Sequence, residues 1–411
     1  MDLLTICYLV FTFIGLYYLS LFTLIYLHNI KNIYYYIKPK KEYSISIVIP
    51  CYNGADGIER TIKKIFESDY PGLKKIIVVD DQSTDNSYEI IKGCEKKYPN
   101  VLALQTPKNT GNAAGAKNYG AKFVETELIG FSDDDAYPNS DAISKMVGFF
   151  NDPQVGAVTS RVLVQNRKKF LAKLQSIEYK LIAFTRKLFE FIDAIYVTNG
   201  PLSIYRNDVF KEIDGFDEKN LTEDIEITWN FLSKKWKVKI SMPSIVYTTA
   251  PEKIKDWLKQ RLRWNAGGIQ TILKYKGEFL KKGMIGLFIF PYFVSAWILG
   301  IFGLGLLTYR LSRYLITQYL ATSYSIGAQT AIITANDLAF SPSILFFFGI
   351  TLLTLGVLYN LNALAHSRNE PKEFKRENIF DLIIYMFIYL LLYPMVLIGS
   401  IYKFLKKDYS W

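Results

Sequence analysis

The chain has 411 residues, of which 50% are hydrophobic, 49 are basic and 38 are acidic, giving a formal net charge of +11. The apolar residues concentrate in residues 3–27 and again from residue 284 onward, whereas residues 44–277 mix apolar and polar residues as a water-soluble domain does. Positive charge in a chain of this kind is typical of anchoring at a cytoplasmic membrane face, so we expect no nucleic-acid partner.

The few cysteines and histidines exclude several kinds of site. Cys7, Cys51 and Cys94 lie far apart in the sequence, so neither a disulfide framework nor a thiolate metal site is expected. The two histidines, His28 and His366, both lie near the ends of apolar segments. A histidine zinc site and a Ser-His-Asp triad are therefore excluded from the middle of the chain, where chemistry must rest on carboxylates.

The distribution of apolar residues divides the chain into four parts. We expect an N-terminal transmembrane helix at residues 1–30, a basic linker at 31–43, a soluble domain at 44–277 and a transmembrane region of three or four helices at 278–411. Residues 3–27 carry no charge and exceed the roughly 20 residues that cross a bilayer. No basic stretch precedes them and no small-residue cleavage site follows, which favours a retained anchor over a signal peptide.

Basic residues predict how the chain sits in the membrane. Lysines follow the first apolar segment at 31, 38, 40 and 41, which indicates an outside N-terminus and a cytoplasmic middle domain in a multi-pass plasma-membrane protein. Later apolar segments run at about 284–307, 343–364 and 379–403, and the basic loop 368–376 should also be cytoplasmic. Residues 314–335 are open between an outside loop, an interfacial helix and a fifth span.

Strand and helix patterns alternate through the first part of the middle domain. Strands are predicted at 44–50, 74–80, 101–106 and 128–132, and helices at 56–68, 84–97, 112–124 and 140–150. This alternation predicts an α/β domain with a parallel sheet and helices on both faces. Ligands of such sheets bind at the carboxyl ends of the strands.

Polar clusters follow three of these predicted strands, at residues 50–53, 80–83 and 133–135. A single Asp at a strand end is usually a turn former or helix cap, but three clusters at one edge point to a site. No GxGxxG or GxxxxGK[ST] motif occurs, which disfavours hydride transfer and ATP hydrolysis. The carboxylates of Asp133 and Asp135 suit Mg²⁺ or Mn²⁺, which would neutralise a diphosphate.

Four motifs, the first made of two segments, together resemble the family 2 glycosyltransferases with a GT-A fold, over roughly residues 44–277. They are VIPCYNG (48–54), VVDDQSTD (78–85), SDDDAYP (132–138), LTED (221–224) and QRLRW (260–264). The last matches the QxxRW pattern of the membrane-integrated subgroup that includes cellulose, chitin and hyaluronan synthases. By composition alone, that stretch is also typical of an interfacial anchor, and Thr222 of LTED is also placed as a helix cap.

The resemblance implies a role for each motif. It implies that Asp224, with Glu223, supplies the general base, that Asp133 and Asp135 bind the metal, and that Trp264, Gly200 and Pro201 contact the acceptor. It implies nucleotide and donor binding by Pro50, Tyr52, Asn53, Asp80, Asp81, Lys117, Asp133, Gln260 and Arg263.

These expectations add up to an inverting, metal-dependent membrane glycosyltransferase that transfers sugar from a UDP-sugar to a growing polysaccharide. An alternative is transfer of a single sugar to a lipid-linked acceptor, which the stretch Gly115–Asn118 favours because it is similar to single-transfer members of the family. A nucleotide-binding transporter or scaffold is a third interpretation, disfavoured because the apolar segments carry almost no ionisable residues. We expect the lipid bilayer as a partner and no obligate protein partner.

Overall fold

The computed structural model describes residues 3–281, 283–328, 344–366 and 378–407. The strands are β1 (Ile45–Cys51), β2 (Leu73–Asp80), β3 (Val101–Gln105), β4 (Leu128–Phe131), β5 (Ala136–Pro138), β6 (Val155–Val164), β7 (Ser203–Arg206) and β8 (Lys237–Thr248). The helices of the middle domain are α2 (Ile58–Phe66), α3 (Ser87–Lys97), α4 (Ala113–Ala121), α5 (Ser144–Val147), α6 (Phe170–Glu190), α7 (Asn207–Glu212), α8 (Glu223–Ser233) and α9 (Ile254–Lys274). They follow a first long helix, α1 (Leu3–Asn29).

All eight strands form one sheet in the order β3-β2-β1-β4-β7-β6-β8-β5. The first four strands pair in parallel, as the sequence predicts, and every residue of β1 is buried, which is typical of a central parallel strand. The second half of the sheet, for which no strands were predicted, is mixed: β7 runs antiparallel to both β4 and β6, whereas β6 pairs in parallel with β8. The predicted helix at 140–150 is only the short α5 followed by a 3₁₀ turn.

Four helices of the described residues are long and apolar enough to cross a membrane: Leu4–Asn32, Ile285–Ala328, Phe347–Ala365 and Ile379–Leu405. They contain α1, α10 (Phe290–Ala328), α11 (Ile344–Ala365), α12 (Ile379–Ile384) and α13 (Leu390–Leu405), with π-helical turns at Ile285–Ile289 and Tyr385–Tyr389. Residues 314–328 of the open segment continue α10 as one 39-residue helix, so they are not a separate loop. Residues 329–335 and the basic loop 368–376 lie outside the described residues.

Helices α6 and α9 join the middle domain to the apolar helices. The hydroxyls of Thr185 on α6 and Tyr359 on α11 are 2.6 Å apart. On α9, the carbonyl of Leu262 accepts a 3.3 Å hydrogen bond from the Ser400 hydroxyl of α13. A continuous buried apolar cluster contains residues of α1, α6, α8, α9 and the later apolar helices. Helices α6, α8 and α9 of the middle domain and the apolar helices are therefore parts of one packed body.

Candidate active site

A cavity of about 810 Å³ opens at the carboxyl ends of the parallel strands and extends to α6, α8 and α9. It brings together most of the residues that the sequence singled out. Those lining it are Pro50, Tyr52, Asp81, Asp133, Asp135, Gly200, Pro201, Glu223, Asp224, Gln260, Arg263 and Trp264. Asn53, Asp80 and Lys117 do not line it but lie behind its wall, where each supports a lining residue or loop.

Asp81 lies at the end of the cavity formed by the loops after β1 and β2. One of its carboxylate oxygens accepts hydrogen bonds from the Thr106 hydroxyl at 2.8 Å and the Thr110 amide at 3.0 Å. The other accepts from the Thr110 hydroxyl at 2.8 Å, and the side chain is almost fully buried. These donors hold the carboxylate rigidly at the cavity wall, where its remaining lone pairs can accept a hydrogen bond from a ligand.

Asp80 and Asn53 fix the loops around Asp81. Asp80 is fully buried, and its carboxylate accepts a 2.9 Å hydrogen bond from the Gln105 side-chain amide. Asn53, at a positive φ of 53°, accepts a 2.8 Å hydrogen bond from the Thr84 amide and so ties the loop after β1 to the loop after β2. Asparagine tolerates this left-handed conformation better than most residues do.

Three consecutive carboxylates follow β4. Burial, reinforced by the neighbouring charge of Asp133, raises the pKa of Asp134 to about 6 and that of Asp135 to about 7. Asp134 lies against the loop after β1, whereas Asp135 accepts a 3.3 Å hydrogen bond from the Thr248 hydroxyl of β8. No cation is among the neighbours that set the pKa of Asp134 or Asp135 in the described part of the chain, so nothing of that kind offsets burial and the charge of Asp133.

This donor set fits a divalent cation that is shared with a substrate. In the described parts of the chain, no three His, Cys, Asp or Glu side chains are grouped so that they could hold a metal by themselves. Mg²⁺ and Mn²⁺ sites in phosphate chemistry commonly use one or two protein carboxylates, with phosphate oxygens and water completing the shell. Asp133 and Asp135 line the same cavity and supply such a pair.

Helix α8 begins with Glu223 and Asp224. Both carboxylates interact electrostatically with the same buried lysine, Lys117. Lys117 Nζ lies 2.8 Å from a carboxylate oxygen of Glu223 and 3.5 Å from one of Asp133. Although burial opposes ionisation of Glu223, this lysine holds the pKa of Glu223 below its ordinary value. Burial and the charge of Glu223 instead raise the pKa of Asp224 to about 6. Two adjacent carboxylates thus differ in basicity, and Asp224 is the better proton acceptor.

Helix α9 packs against the start of α8 at very short range. A Cβ added to Gly267 would lie 2.1 Å from Thr222 Oγ1, so a glycine is required for this approach. Thr222 occupies the N-cap position of α8, as its place in the sequence indicates, but its hydroxyl donates to Asn220 Oδ1 and makes no capping hydrogen bond. Lys274 on α9 adds a 2.6 Å ion pair to Glu226 on α8. The QRLRW segment is thereby held beside Asp224.

The QRLRW segment presents three side chains to the cavity and two to the protein interior. Gln260, Arg263 and Trp264 line the cavity. Arg261 is buried between them, with its guanidinium carbon 4.0 Å from the centroid of the Trp264 ring and its Nη1 2.7 Å from Gln260 Oε1. The cavity wall formed by α9 therefore carries a guanidinium, an amide and a half-buried aromatic ring.

The loop before β7 closes the cavity over Asp133. A Cβ on Gly200 would lie 2.4 Å from an Asp133 carboxylate oxygen, which explains the glycine at this position. Asn199 of the same loop accepts a 2.7 Å hydrogen bond from Arg186 of α6, and both line the cavity. Sequence reasoning missed Arg186, because it stands in an amphipathic helix with no motif around it. Its charge faces Asp224 and lowers that carboxyl's pKa slightly against the larger effects of burial.

Comparisons with known proteins agree with this geometry. Residues 46–214 match the model of the glycosyl transferase family 2. A poly-beta-1,6-N-acetyl-D-glucosamine synthase from Staphylococcus epidermidis is 28% identical over 250 residues, which are 60% of this chain and 60% of that protein. The corresponding synthase from Staphylococcus aureus strain MSSA476 is 27% identical over 276 residues, which are 65% of this chain and 66% of that protein. The chain thus matches less than two thirds of the length of these relatives.

A solved structure supports the fold over nearly the whole chain. The mannosyltransferase PcManGT from Pyrobaculum calidifontis, in complex with GDP-Man and Mn²⁺, aligns with a TM-score of 0.58 and 14% sequence identity. The alignment covers 97% of this chain and 99% of that one, and at this identity it bears on the fold alone. Residues 46–214 therefore match the glycosyl transferase family 2 model, and the chain folds as a GT-A-like α/β sheet joined to long apolar helices.

Proposed function

We propose that the chain is an inverting, metal-dependent membrane glycosyltransferase that transfers sugar from a UDP-sugar to a growing polysaccharide. The observation that carries this proposal is the single cavity lined by Asp81, by the pair Asp133 and Asp135, by Asp224 and by the QRLRW segment. The lining of this cavity offers suitable polar or aromatic side chains to the nucleotide, the diphosphate, the reacting sugar and the acceptor. The Staphylococcus relatives are named as synthases of a β-1,6-linked N-acetylglucosamine polymer, which makes UDP-N-acetylglucosamine the first donor to try.

The donor end of the cavity is suited to a nucleoside diphosphate. In the proposed complex Asp81 accepts hydrogen bonds from the base or ribose, and Pro50 and Tyr52 flank the base. A bound Mg²⁺ or Mn²⁺ supplies Lewis-acid stabilisation of the charge that develops on the leaving diphosphate. Asp133 and Asp135 hold that cation, and the Arg263 guanidinium offers the diphosphate a fork of donors.

The chemical step is a direct displacement. Asp224 accepts the proton of the acceptor hydroxyl while that oxygen attacks the anomeric carbon. The new carbon–oxygen bond forms as the bond from the anomeric carbon to the diphosphate breaks, UDP leaves, and the configuration inverts. Because the pKa of Asp224 is raised to about 6, its carboxylate is more basic than an ordinary one. This pKa is still below neutral pH, so the carboxylate is ionised there and can take the proton. Trp264 offers its ring as a stacking platform for the acceptor sugar.

The proposed membrane arrangement places this cavity on the cytoplasmic side. Lysines 31, 38, 40 and 41, which follow α1, support that side for the domain. The contact between Ser400 and Leu262 supports the same side for the end of α13 and for the lysines at 403, 406 and 407. In this arrangement α1, α10 and α11 cross the bilayer and the last apolar helix runs along the domain, although its length would also allow it to cross. The C-terminal region then has fewer spans than the three or four that the sequence predicts.

The experiment is a donor panel with the products separated by size. The purified chain in nanodiscs receives Mn²⁺ or Mg²⁺ with radiolabelled UDP-N-acetylglucosamine, UDP-glucose, UDP-galactose and, as a contrast, GDP-mannose. A ladder or high polymer from one UDP-sugar supports the proposal. A single product that extracts into organic solvent establishes transfer to a lipid acceptor instead, and turnover of GDP-mannose alone refutes the UDP assignment. Omission of divalent cations must abolish transfer.

A further inference from the structure

A buried polar network connects the last apolar helix to the QRLRW segment. Tyr389, in the π-helical turn before α13, donates a 2.6 Å hydrogen bond to Glu178 Oε2 on α6. The same oxygen accepts a 2.6 Å hydrogen bond from Arg261 Nη2 on α9. Trp257 of α9 donates its indole N–H to the Tyr389 hydroxyl at 2.7 Å. All four side chains are less than 5% exposed.

Holding the helices together would not by itself require this buried polar network. A buried ion pair is costly to desolvate and gives little net stability unless its geometry is closely satisfied, so apolar packing would join the helices equally well. Here side chains of α9 and of the last apolar helix donate to one carboxylate oxygen of α6, and the Tyr389 hydroxyl both accepts from Trp257 and donates to Glu178. Movement of the last apolar helix must therefore disturb the partner of Arg261.

Arg261 links this network to two residues that line the cavity, although Arg261 does not line the cavity itself. Its Nη1 donates to Gln260 Oε1 at 2.7 Å, and its guanidinium stacks on Trp264 at 4.0 Å. Gln260 and Trp264 both line the cavity. A planar guanidinium with one edge fixed by Glu178 can hold the ring in one orientation, which a flexible lysine could not do.

We propose that Arg261, fixed by Glu178 and Tyr389, is a positioning residue that orients Trp264 and Gln260 in the cavity and makes their orientation depend on the last apolar helix. The consequence for catalysis rests on the proposed function, in which Trp264 receives the acceptor. The positional claim does not, since it concerns only the contacts between these side chains.

The first test is a spectroscopic one that needs no substrate. The chain is labelled with 5-fluorotryptophan in nanodiscs, and its ¹⁹F resonance for Trp264 is assigned by its loss in Trp264→Phe. Tyr389→Phe should shift or broaden that resonance, and so should Arg261→Lys, which keeps the charge but not the fork. Tyr393→Phe is the matched control, because this hydroxyl, one turn further on, makes no hydrogen bond to any residue in the described ranges although its ring contacts Tyr389. An unmoved Trp264 resonance in both variants overturns the proposal, as does an equal change in Tyr393→Phe.

The second test measures sugar transfer. Tyr389→Phe should lower the turnover rate about tenfold, the size of effect that loss of one charge-assisted hydrogen bond produces, while Tyr393→Phe retains the wild-type rate and both keep similar thermal midpoints. Equal rates in the two variants overturn the role of the network in transfer. If the wild-type chain transfers no sugar from any donor, the proposed function fails, and the fluorine measurement still decides the positional claim.

Discussion

The contact between α8 and α9 allows a sharp prediction with two adjacent glycines. Gly267 and Gly268 both lie inside α9, so alanine at either position gains the same helix propensity of about 1 kcal/mol. At Gly267 the new Cβ would lie 2.1 Å from Thr222 Oγ1 and 2.7 Å from Thr222 Cβ. At Gly268 the nearest atom is a ring carbon of Trp297 at 3.8 Å, an ordinary contact. We expect Gly267→Ala to be harmful and Gly268→Ala to be neutral or stabilising.

The magnitude follows from the overlap. Ordinary carbon–oxygen contacts need more than 3 Å, and Thr222 is a short branched side chain that cannot swing away, so α9 must move from α8 by about 1 Å. Overpacking of this kind costs about 1–3 kcal/mol. The same shift separates Arg263 and Trp264 from Asp224, and a displacement of about 1 Å at a catalytic site can lower turnover by about 100-fold.

The assay compares thermal unfolding and sugar transfer for the two variants in nanodiscs. Gly267→Ala should have a free energy of unfolding lower than that of Gly268→Ala by about 1–3 kcal/mol and should transfer sugar far more slowly. A second substitution, Thr222→Ala, removes both Oγ1 at 2.1 Å and Cγ2 at 2.7 Å from the new Cβ and should recover part of the loss. Indistinguishable stability and turnover in the two alanine variants would refute the reasoning about this helix contact.

Three further predictions concern the charges of the cavity. Because Asp224 must be ionised to accept a proton and its pKa is about 6, the transfer rate should fall about tenfold per pH unit below about pH 6 and level off above it, as a pH–rate profile will reveal. Glu223→Gln removes a negative charge that raises this pKa, so its acid limb should move to lower pH; a move to higher pH contradicts the assignment. Asp135→Asn should raise the Mn²⁺ concentration for half-maximal transfer at least about tenfold, whereas Asp141→Asn, whose carboxylate pairs with Lys145 outside the cavity, should not.

The first half of the fold could be predicted because its strand patterns depend on residues that are close together in the sequence. Strand β1 is buried throughout and β2 ends in a buried apolar run, and the polar clusters at their carboxyl ends mark where these strands stop. The antiparallel β7 was not predicted, since its four residues, Ser203–Arg206, are too few for a periodic pattern and its pairing with β4 joins residues far apart in the chain. Sheet order there depends on long-range packing, which a single sequence does not display.

The residues of the site were also predicted only in part. The motifs predicted which residues line the cavity, but they did not separate lining residues from supporting ones. Lys117 is a supporting residue, because its ammonium group forms ion pairs with Glu223 and Asp133 behind the cavity wall. Arg186 and Glu178 had no local signal, since each stands on α6 as an ordinary polar residue of an amphipathic helix. Their importance depends on neighbours contributed by other helices.

The most direct test of the account is a comparison of wild type with Asp224→Asn. The asparagine keeps the side-chain oxygen that accepts the 2.9 Å hydrogen bond from the Ile225 amide, so the fold of α8 should survive. With Mn²⁺ and the donor identified by the panel, we predict that transfer falls by about 100-fold to 10,000-fold, while calorimetry gives unchanged affinity for UDP. Wild-type transfer by Asp224→Asn would contradict the proposal that this carboxylate is the base of an inverting glycosyltransferase.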